Sequence, residues 1–474
     1  MEQLLSDTLR IAPITGTILL SLIVVMINAL KKNPFASEYW VSLIGIFVNI
    51  ALALLVYTDR GTAFGGMVLT GGYASVTAIL FLVASALTIL LSRRYIEKIG
   101  AKFGEYYHLI ILAAAGMMTF AAATDLIVMF LGLELMSISL YALVGITRRV
   151  YKSTEASLKY FLLGAFATGF FLYGIALLYG VTGTTNILEI AQNISEYKSE
   201  PLFLTGTGLL LVGFAFKVGA VPFHMWVPDV YEGAPTMVTA FMSTGAKAAA
   251  FTALLLVFTA TFDFTHSSMN TVLAVLAVAS MLVGNIVALS QNNVKRMLAY
   301  SSIAHAGYML IGITAGTDAG LTGVVYYLIA YMFTNIGAFG IIAVLESADQ
   351  SGTDMEHFRG LFKRHPMLSV LMAIFMFSLI GLPPLAGFFG KYYIFVAAIE
   401  NGYTWLTIVG VVTSMISVYY YLRVTIAMFF QESDESATVA CDRGSLTGLL
   451  ISATGVIVFG LFPTAILMWM GGLF

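Results

Sequence analysis

Residues Phe203 to Lys247 read FLTGTGLLLVGFAFKVGAVPFHMWVPDVYEGAPTMVTAFMSTGAK, and the fold follows from what such a stretch is able to be. Its first part is apolar for long enough to cross a bilayer, because a spanning helix needs about 20 residues that tolerate hydrocarbon. Lys217 nevertheless stands inside it. Pro222 then removes a backbone donor and clashes with the preceding turn, so the helix should be interrupted there. A second apolar run begins at Thr236 and again contains a lysine, Lys247. The whole chain agrees with a membrane reading: 10% of its residues are charged and 59% hydrophobic, whereas ordinary soluble domains carry about a quarter charged residues. There is too little charge to coat a water-soluble globule.

The same apolar signal starts near Ile11, Trp40, Thr70, Tyr107, Asp125, Ala156, Phe203, Thr236, Thr271, Met297, Leu321, Met367, Tyr403 and Leu446. This predicts an all-α integral membrane protein of about fourteen transmembrane helices. Ile11 to Leu30 lacks a basic region before it and is long enough to span, so it reads as the first helix. The basic residues test the count, because they should collect in loops on the cytoplasmic side. Odd-numbered loops hold Lys31, Lys32, Arg93, Arg94, Lys98, Lys102, Arg148, Arg149, Lys152, Lys295, Arg296, Arg359, Lys363, Arg364 and Arg443, and the other side holds Arg10, Arg60 and Lys198. Both termini are therefore expected on the non-cytoplasmic side. Lys159, Lys217, Lys247, Lys391 and Arg423 remain inside the spans.

Weak self-similarity runs along the chain in constant order. LVGIT at Leu143 echoes LIGIT at Leu310, YFLLGAFAT at Tyr160 echoes YYLIAYMFT at Tyr326, and the GAVP ending at Pro222 echoes the GLPP ending at Pro384. These matches place helices five to seven on helices ten to twelve. The expected organisation is a three-helix segment over 1–104, a five-helix unit over 105–265, a second unit over 266–432 and a last helix over 433–474. An odd number of helices inverts the second unit, and inverted repeats with broken helices are a recurring transporter architecture. Helix twelve should break at Pro383 and Pro384 as helix seven does at Pro222.

A charge at the centre of a spanning helix costs about 2.5 to 3.5 kcal/mol on insertion scales. Glu134, Lys217, Lys247 and His305 lie about eight to fourteen residues into their helices, or roughly 12 to 21 Å at 1.5 Å per residue, too deep to reach the headgroups. Burial disfavours the charged form and a nearby opposite charge restores it, so a lysine whose carboxylate partner moves gains or loses a proton. Glu134, Lys217, Lys247 and Lys391 are the expected proton relay, with His305 and Lys159 as further members. A fixed interhelical ion pair is the alternative for the first group, and a hydrogen-bonded packing histidine is the alternative for His305. Lys159 and Arg423 lie nearer the cytoplasmic ends of helices six and thirteen, where long basic side chains snorkel; Arg423 reads so, and Lys159 fits that reading and a relay role equally. Asp125, Asp229 and Glu232 read as solvated residues at helix ends. Interrupted helices let water reach Lys217 and Lys391. The single cysteine, Cys441, excludes an intrachain disulfide, a CxxC zinc or redox motif and a cysteine-ligated iron–sulfur cluster. No metal or cofactor is expected in this chain, and a net charge of -2 gives no sign of nucleic acid.

The stretches FKVGAVPFHMWVPDVYEGAPT, GNIVALSQNNVKRMLAYSSIAHAGYMLIG and GLPPLAGFFGKYYIF resemble the antiporter-like subunits of respiratory complex I, with VYEGAPT and AYSSIAHAGY closest to the N-type branch. The resemblance covers most of the chain. It implies a membrane-arm subunit without a redox centre, in a bacterial inner membrane, which couples quinone reduction elsewhere to proton translocation. NADH, flavin, quinone and iron–sulfur clusters are then expected in other subunits, and the partners are other membrane-arm subunits, including further antiporter-like ones, together with lipid. No activity is expected of the isolated chain. The family's helix-five glutamate falls at Glu134, its lysines of helices seven, eight and twelve at Lys217, Lys247 and Lys391, its helix-ten histidine at His305 and a connecting lysine at Lys159. Met237 departs from the family's usual proline, which touches the turn into helix eight. An Mrp-type cation/proton antiporter subunit and a non-conducting spacer are the competing readings.

Overall fold

The computed structural model describes residues 1–261, 268–347, 351–432 and 441–470. A short helix α1 (Glu2–Arg10) precedes α2 (Ala12–Leu30) and α3 (Phe35–Leu55). A hairpin of β1 (Gly61–Ala63) and antiparallel β2 (Val68–Thr70) follows. Then come α4 (Gly72–Lys98), α5 (Glu105–Ala122), α6 (Leu126–Val144), α7 (Tyr151–Thr182) and two short helices, α8 (Ile187–Gln192) and α9 (Ile194–Tyr197). Next are α10 (Pro201–Val218), α11 (Trp226–Gly233), α12 (Thr236–Phe241), a π-helical turn over Met242–Ala246, and α13 (Lys247–Thr261). The rest comprises α14 (Ser268–Leu289), α15 (Val294–Ala315), α16 (Asp318–Leu345), α17 (Leu361–Arg364), α18 (Pro366–Ile380), α19 (Ala386–Glu400), α20 (Thr404–Phe430), α21 (Arg443–Leu461) and α22 (Pro463–Trp469).

Each of the fourteen expected starts falls on a helix or within a few residues of one. Among the described residues twelve helices are long and apolar enough to cross a membrane, and Pro366–Ile380 is a shorter apolar one. The hairpin is a departure from an all-helical chain. Its turn runs through Phe64, Gly65 and Gly66, all at positive φ, a conformation glycine adopts without penalty. The hairpin ties down the ends of neighbouring helices: Arg10 pairs with Asp59 at 2.8 Å, and the Thr124 N–H donates to Met67 O at 2.9 Å. The hydrogen bonds from Arg10 hold the Asp59 carboxyl below its usual range. The expected boundary between 265 and 266 lies outside the described residues, as do 433–440 and 471–474 of the last expected segment.

Lipid is as apolar as a leucine side chain, so spans associate through close packing and hydrogen bonds rather than through exclusion from water. Gly116 of α5 and Gly132 of α6 meet in this way. A Cβ on Gly116 would stand 2.4 Å from Met136 N, and one on Gly132 would stand 2.4 Å from Phe120 N. Interhelical hydrogen bonds add to this, such as Tyr73 OH to Thr252 O at 2.6 Å and Ser92 Oγ to Tyr106 OH at 2.7 Å. Such bonds average about 0.6 kcal/mol in membrane interiors. Leu22, Ile44, Ile138, Phe166, Val275 and Met415 are among the large side chains left exposed on the outer surface.

The two proline-bearing spans are interrupted as expected. Helix α10 ends at Gly219 with φ +75°, and the chain resumes at α11 beyond Pro222. Helix α18 ends at Gly381 with φ +89°, and α19 begins beyond Pro383 and Pro384.

Candidate functional site

The deep ionisable side chains are withdrawn from the surface: Lys217 is 7% exposed, Lys247 2%, His305 1% and Lys391 6%. Glu134 is partly buried on α6, and its Oε1 is enclosed without a hydrogen-bond partner. Among the described residues no ion pair joins Glu134 to Lys217. Lys217 Nζ instead donates to Ser137 Oγ at 2.8 Å, and Ser137 lies one helical turn from Glu134. Three aromatic rings, Tyr141, Tyr160 and Phe216, surround the ammonium with centroids at 5.7, 5.7 and 5.8 Å. Cation–π attraction of this kind is worth about 2 kcal/mol or more when desolvated.

Lys247 stands at the end of the π-helical turn, where one extra residue per turn re-aims the side chain that follows. Its Nζ donates to Ser302 O at 2.6 Å and Ser302 Oγ at 3.0 Å. His305, one turn along α15, bonds Tyr327 OH through Nδ1 at 2.7 Å and Tyr421 OH through Nε2 at 3.0 Å. Tyr421 also bonds Ser301. The edge of His305 meets Tyr308 at 5.6 Å, and the Lys391 ammonium lies 5.0 Å over the ring of Tyr308.

Lys391 shows why a lysine belongs at the second interruption. The last four carbonyls of a helix have no partner within it. Lys391 Nζ folds back from α19 onto Leu379 O and Ile380 O of α18, at 3.1 and 3.0 Å, and onto Ser414 Oγ at 2.8 Å. Lys217 precedes its break and Lys391 follows its own, yet both ammonium groups end beside the interruption.

One expectation, that for Asp125, needs correction. Lys159 lies toward the end of its span as expected: α7 has 32 residues, about 48 Å of helix, so its first turns extend past a hydrocarbon core of about 30 Å. There Lys159 pairs with Glu155 at 2.8 Å and Asp229 at 2.9 Å. Arg296 bridges Asp229 and Glu232 at 2.9 and 2.8 Å, and Lys152 reaches Glu232 at 3.2 Å. Asp125 is not a solvated mouth residue. It is buried and caps α6, accepting from Ile127 N at 2.8 Å, Val128 N at 3.1 Å and Thr185 Oγ1 at 2.5 Å. Arg423 lies at a helix end as expected, with hydrogen bonds to Gln291 O at 3.1 Å and Asn292 Oδ1 at 2.6 Å.

Sequence reasoning missed the partners. Ser137, Ser302 and Ser414 each hold one of the three lysines, and nothing in their local sequence distinguishes them from packing serines. The π turn was missed as well; Gly245, inside a span, was the one available hint.

A helical membrane protein with two interrupted spans and a row of buried lysines is the architecture of a proton or cation translocator. Residues 123–417 match the family of NADH:quinone oxidoreductase/Mrp antiporter transmembrane proteins, and the chain belongs to that family. A relative from Chloroherpeton thalassium named NADH-quinone oxidoreductase subunit N 1 is 45% identical over 466 residues, 98% of each chain. NADH-quinone oxidoreductase subunit N of Trichlorobacter lovleyi is 47% identical over 440 residues, 91% of this chain and 89% of that one. A chain in the structure of respiratory complex I from Thermus thermophilus with bound aureothin superposes with a TM-score of 0.84 at 36% identity, covering 96% of this chain and 98% of that one. A chain of the Mrp complex from a Dietzia species shares the fold, with a TM-score of 0.86 at 21% identity over 99% of this chain and 97% of that one.

Proposed function

We propose that this chain is the N-type, proton-translocating membrane-arm subunit of a bacterial NADH:quinone oxidoreductase. The observation that carries the reading is the set of buried Lys217, Lys247, His305 and Lys391, each held by a serine or tyrosine hydroxyl, with the partly buried Glu134 one helical turn from Ser137, and two interrupted spans beside them. A conformational or electrostatic signal from a neighbouring subunit changes how Glu134 bears on Lys217, and the proton moves by way of Lys247 toward Lys391. Water at the two interruptions reloads the row. NADH, flavin, iron–sulfur clusters and quinone belong to other subunits, so the chain works only inside the complex, against other membrane-arm subunits and lipid. The basic loops face the cytoplasm and both termini face away from it. The two units on either side of residue 265 act as inverted copies.

Lys217→Ala or Glu134→Ala, in an assembled complex reconstituted into liposomes, is expected to suppress pumping driven by NADH oxidation. Parental pumping in either assembled variant refutes the role. Sodium/proton exchange by vesicles without any quinone reductase would favour the Mrp-type alternative.

A further inference from the structure

A cavity of about 540 Å³ opens between the last turn of α4, the end of α16 and the start of α21, with Arg94, Tyr95, Glu97, Lys98, Glu346 and Asp442 in its wall. One water needs only about 15 Å³. Behind the wall Glu346 is 1% exposed, and neither of its carboxylate oxygens has a hydrogen-bond partner. Lys295 Nζ stands 3.7 Å away with its side chain equally enclosed, and donates instead to Ala234 O at 2.6 Å. Tyr95, in the cavity wall, faces the same carboxylate, and its oxygen accepts the N–H of Thr236 at 2.7 Å.

A buried ion pair stabilises a fold only when its geometry is good and its remaining lone pairs are satisfied. This one is long, and beyond Lys295 the carboxylate has the Tyr95 hydroxyl facing it but no hydrogen bond of good geometry, so pairing for assembly alone does not account for it. An acceptor with vacant lone pairs at the back of a water-sized cavity is, chemically, a proton acceptor. The way onward is polar. Ser302 lies seven residues beyond Lys295 on α15, roughly 10 Å at 1.5 Å per residue, and it holds Lys247. The hydroxyls of Tyr231 and Tyr331 both face Ser302, and Asn335 lies beside Tyr331.

We propose that Glu346, poised by Lys295, is the gate that loads Lys247 from the basic-loop side. The inference rests on the proton-translocating reading of the central lysines. A proton from the bulk, relayed as hydronium through the water in the cavity, passes to the Glu346 carboxylate and leaves a water molecule behind, forming the neutral acid beside the Lys295 ammonium. The acid then releases that proton along the hydroxyls at Tyr231 and Ser302 to a neutral Lys247, which becomes the ammonium while Glu346 returns to the carboxylate. One proton enters and one is delivered.

The test uses the reconstituted complex, with pumping and quinone reduction measured together. Glu346→Gln is expected to slow coupled pumping by about tenfold or more, since positioned proton-transfer groups contribute ~10² to 10⁴-fold, and Glu346→Asp is expected to restore it. The double variant Lys295→Met/Glu346→Leu leaves no orphaned charge, so it keeps the experiment decisive if Glu346→Gln fails to assemble. A merely structural pair predicts parental pumping in that double variant, and that result overturns the gate, as does an equal loss in Glu346→Asp. If Lys217→Ala blocks pumping while the gate variants do not, the gate alone is wrong. If Lys217→Ala also pumps normally, the underlying reading fails.

Discussion

Replacing Lys391 by arginine separates the structural from the proton-carrying part of this side chain. Lys391 serves two helix-end carbonyls and Ser414 Oγ. Its removal, as in Lys391→Met, leaves the two carbonyls unserved at about 1 to 3 kcal/mol each, so about 2 to 6 kcal/mol is lost. The same change relieves about 2.5 to 3.5 kcal/mol of charge insertion. The two effects largely offset, and the methionine variant is expected to assemble. Arginine goes further, because its guanidinium has donors enough for both carbonyls and the serine while remaining protonated at every accessible pH. Lys391→Arg is therefore expected to assemble at parental levels on a native gel and yet pump at least about a hundredfold more slowly, an effect of ~2.7 kcal/mol at 1.36 kcal/mol per decade. The assay is the initial rate of fluorescent-dye quenching in proteoliposomes, normalised to quinone reduction. Pumping at the parental rate by an assembled Lys391→Arg complex would show that this nitrogen need never release its proton.

Gly116→Ala pushes a Cβ to within 2.4 Å of Met136 N, a backbone atom with nowhere to go, and is expected to lower stability by about 1 to 3 kcal/mol, read as a lower melting midpoint of the detergent-solubilised complex. Asp125→Ala removes a helix cap and should lower that midpoint by the equivalent of about 1 kcal/mol, with pumping per quinone unchanged. The Arg10 hydrogen bonds hold Asp59 below its usual range, so the tie between α1 and the hairpin is complete above the unfolded value of about 3.9 and is lost as pH falls through the lowered one. Amide protection factors in α1, taken relative to intrinsic exchange at each pH, should accordingly be flat between about pH 5 and pH 8 and fall only in stronger acid, whereas Asp59→Asn lowers them at neutral pH.

Spans were legible because hydrocarbon thickness sets a length that a run such as Ile11 to Leu30 either reaches or does not. The interruptions were legible because Pro222, Pro383 and Pro384 deny the helix a donor whatever surrounds them. Lys217, Lys247, His305 and Lys391 were legible as deep charges for the same reason, since depth is counted along one helix. What could not be read depends on a second helix. Ser137 and Ser302 become lysine partners only because the Lys217 side chain of α10 reaches across to α6 and that of Lys247 on α13 reaches α15. Lys295 was counted among loop residues, since its position at a helix start gives no hint that Glu346 is folded in beside it. Lys159 was legible as lying near a helix end but not as an ion-pair member, because its partner Asp229 comes from another element.

The seat of Lys391 ties its charge to its wetness. An ammonium has three hydrogens to give, and here three oxygens await them. A neutral amine has only two, so each departing proton leaves one oxygen bare unless a solvent molecule steps in or Ser414 turns away. Discharge and solvation at this break are then a single event, and a dry seat keeps its proton.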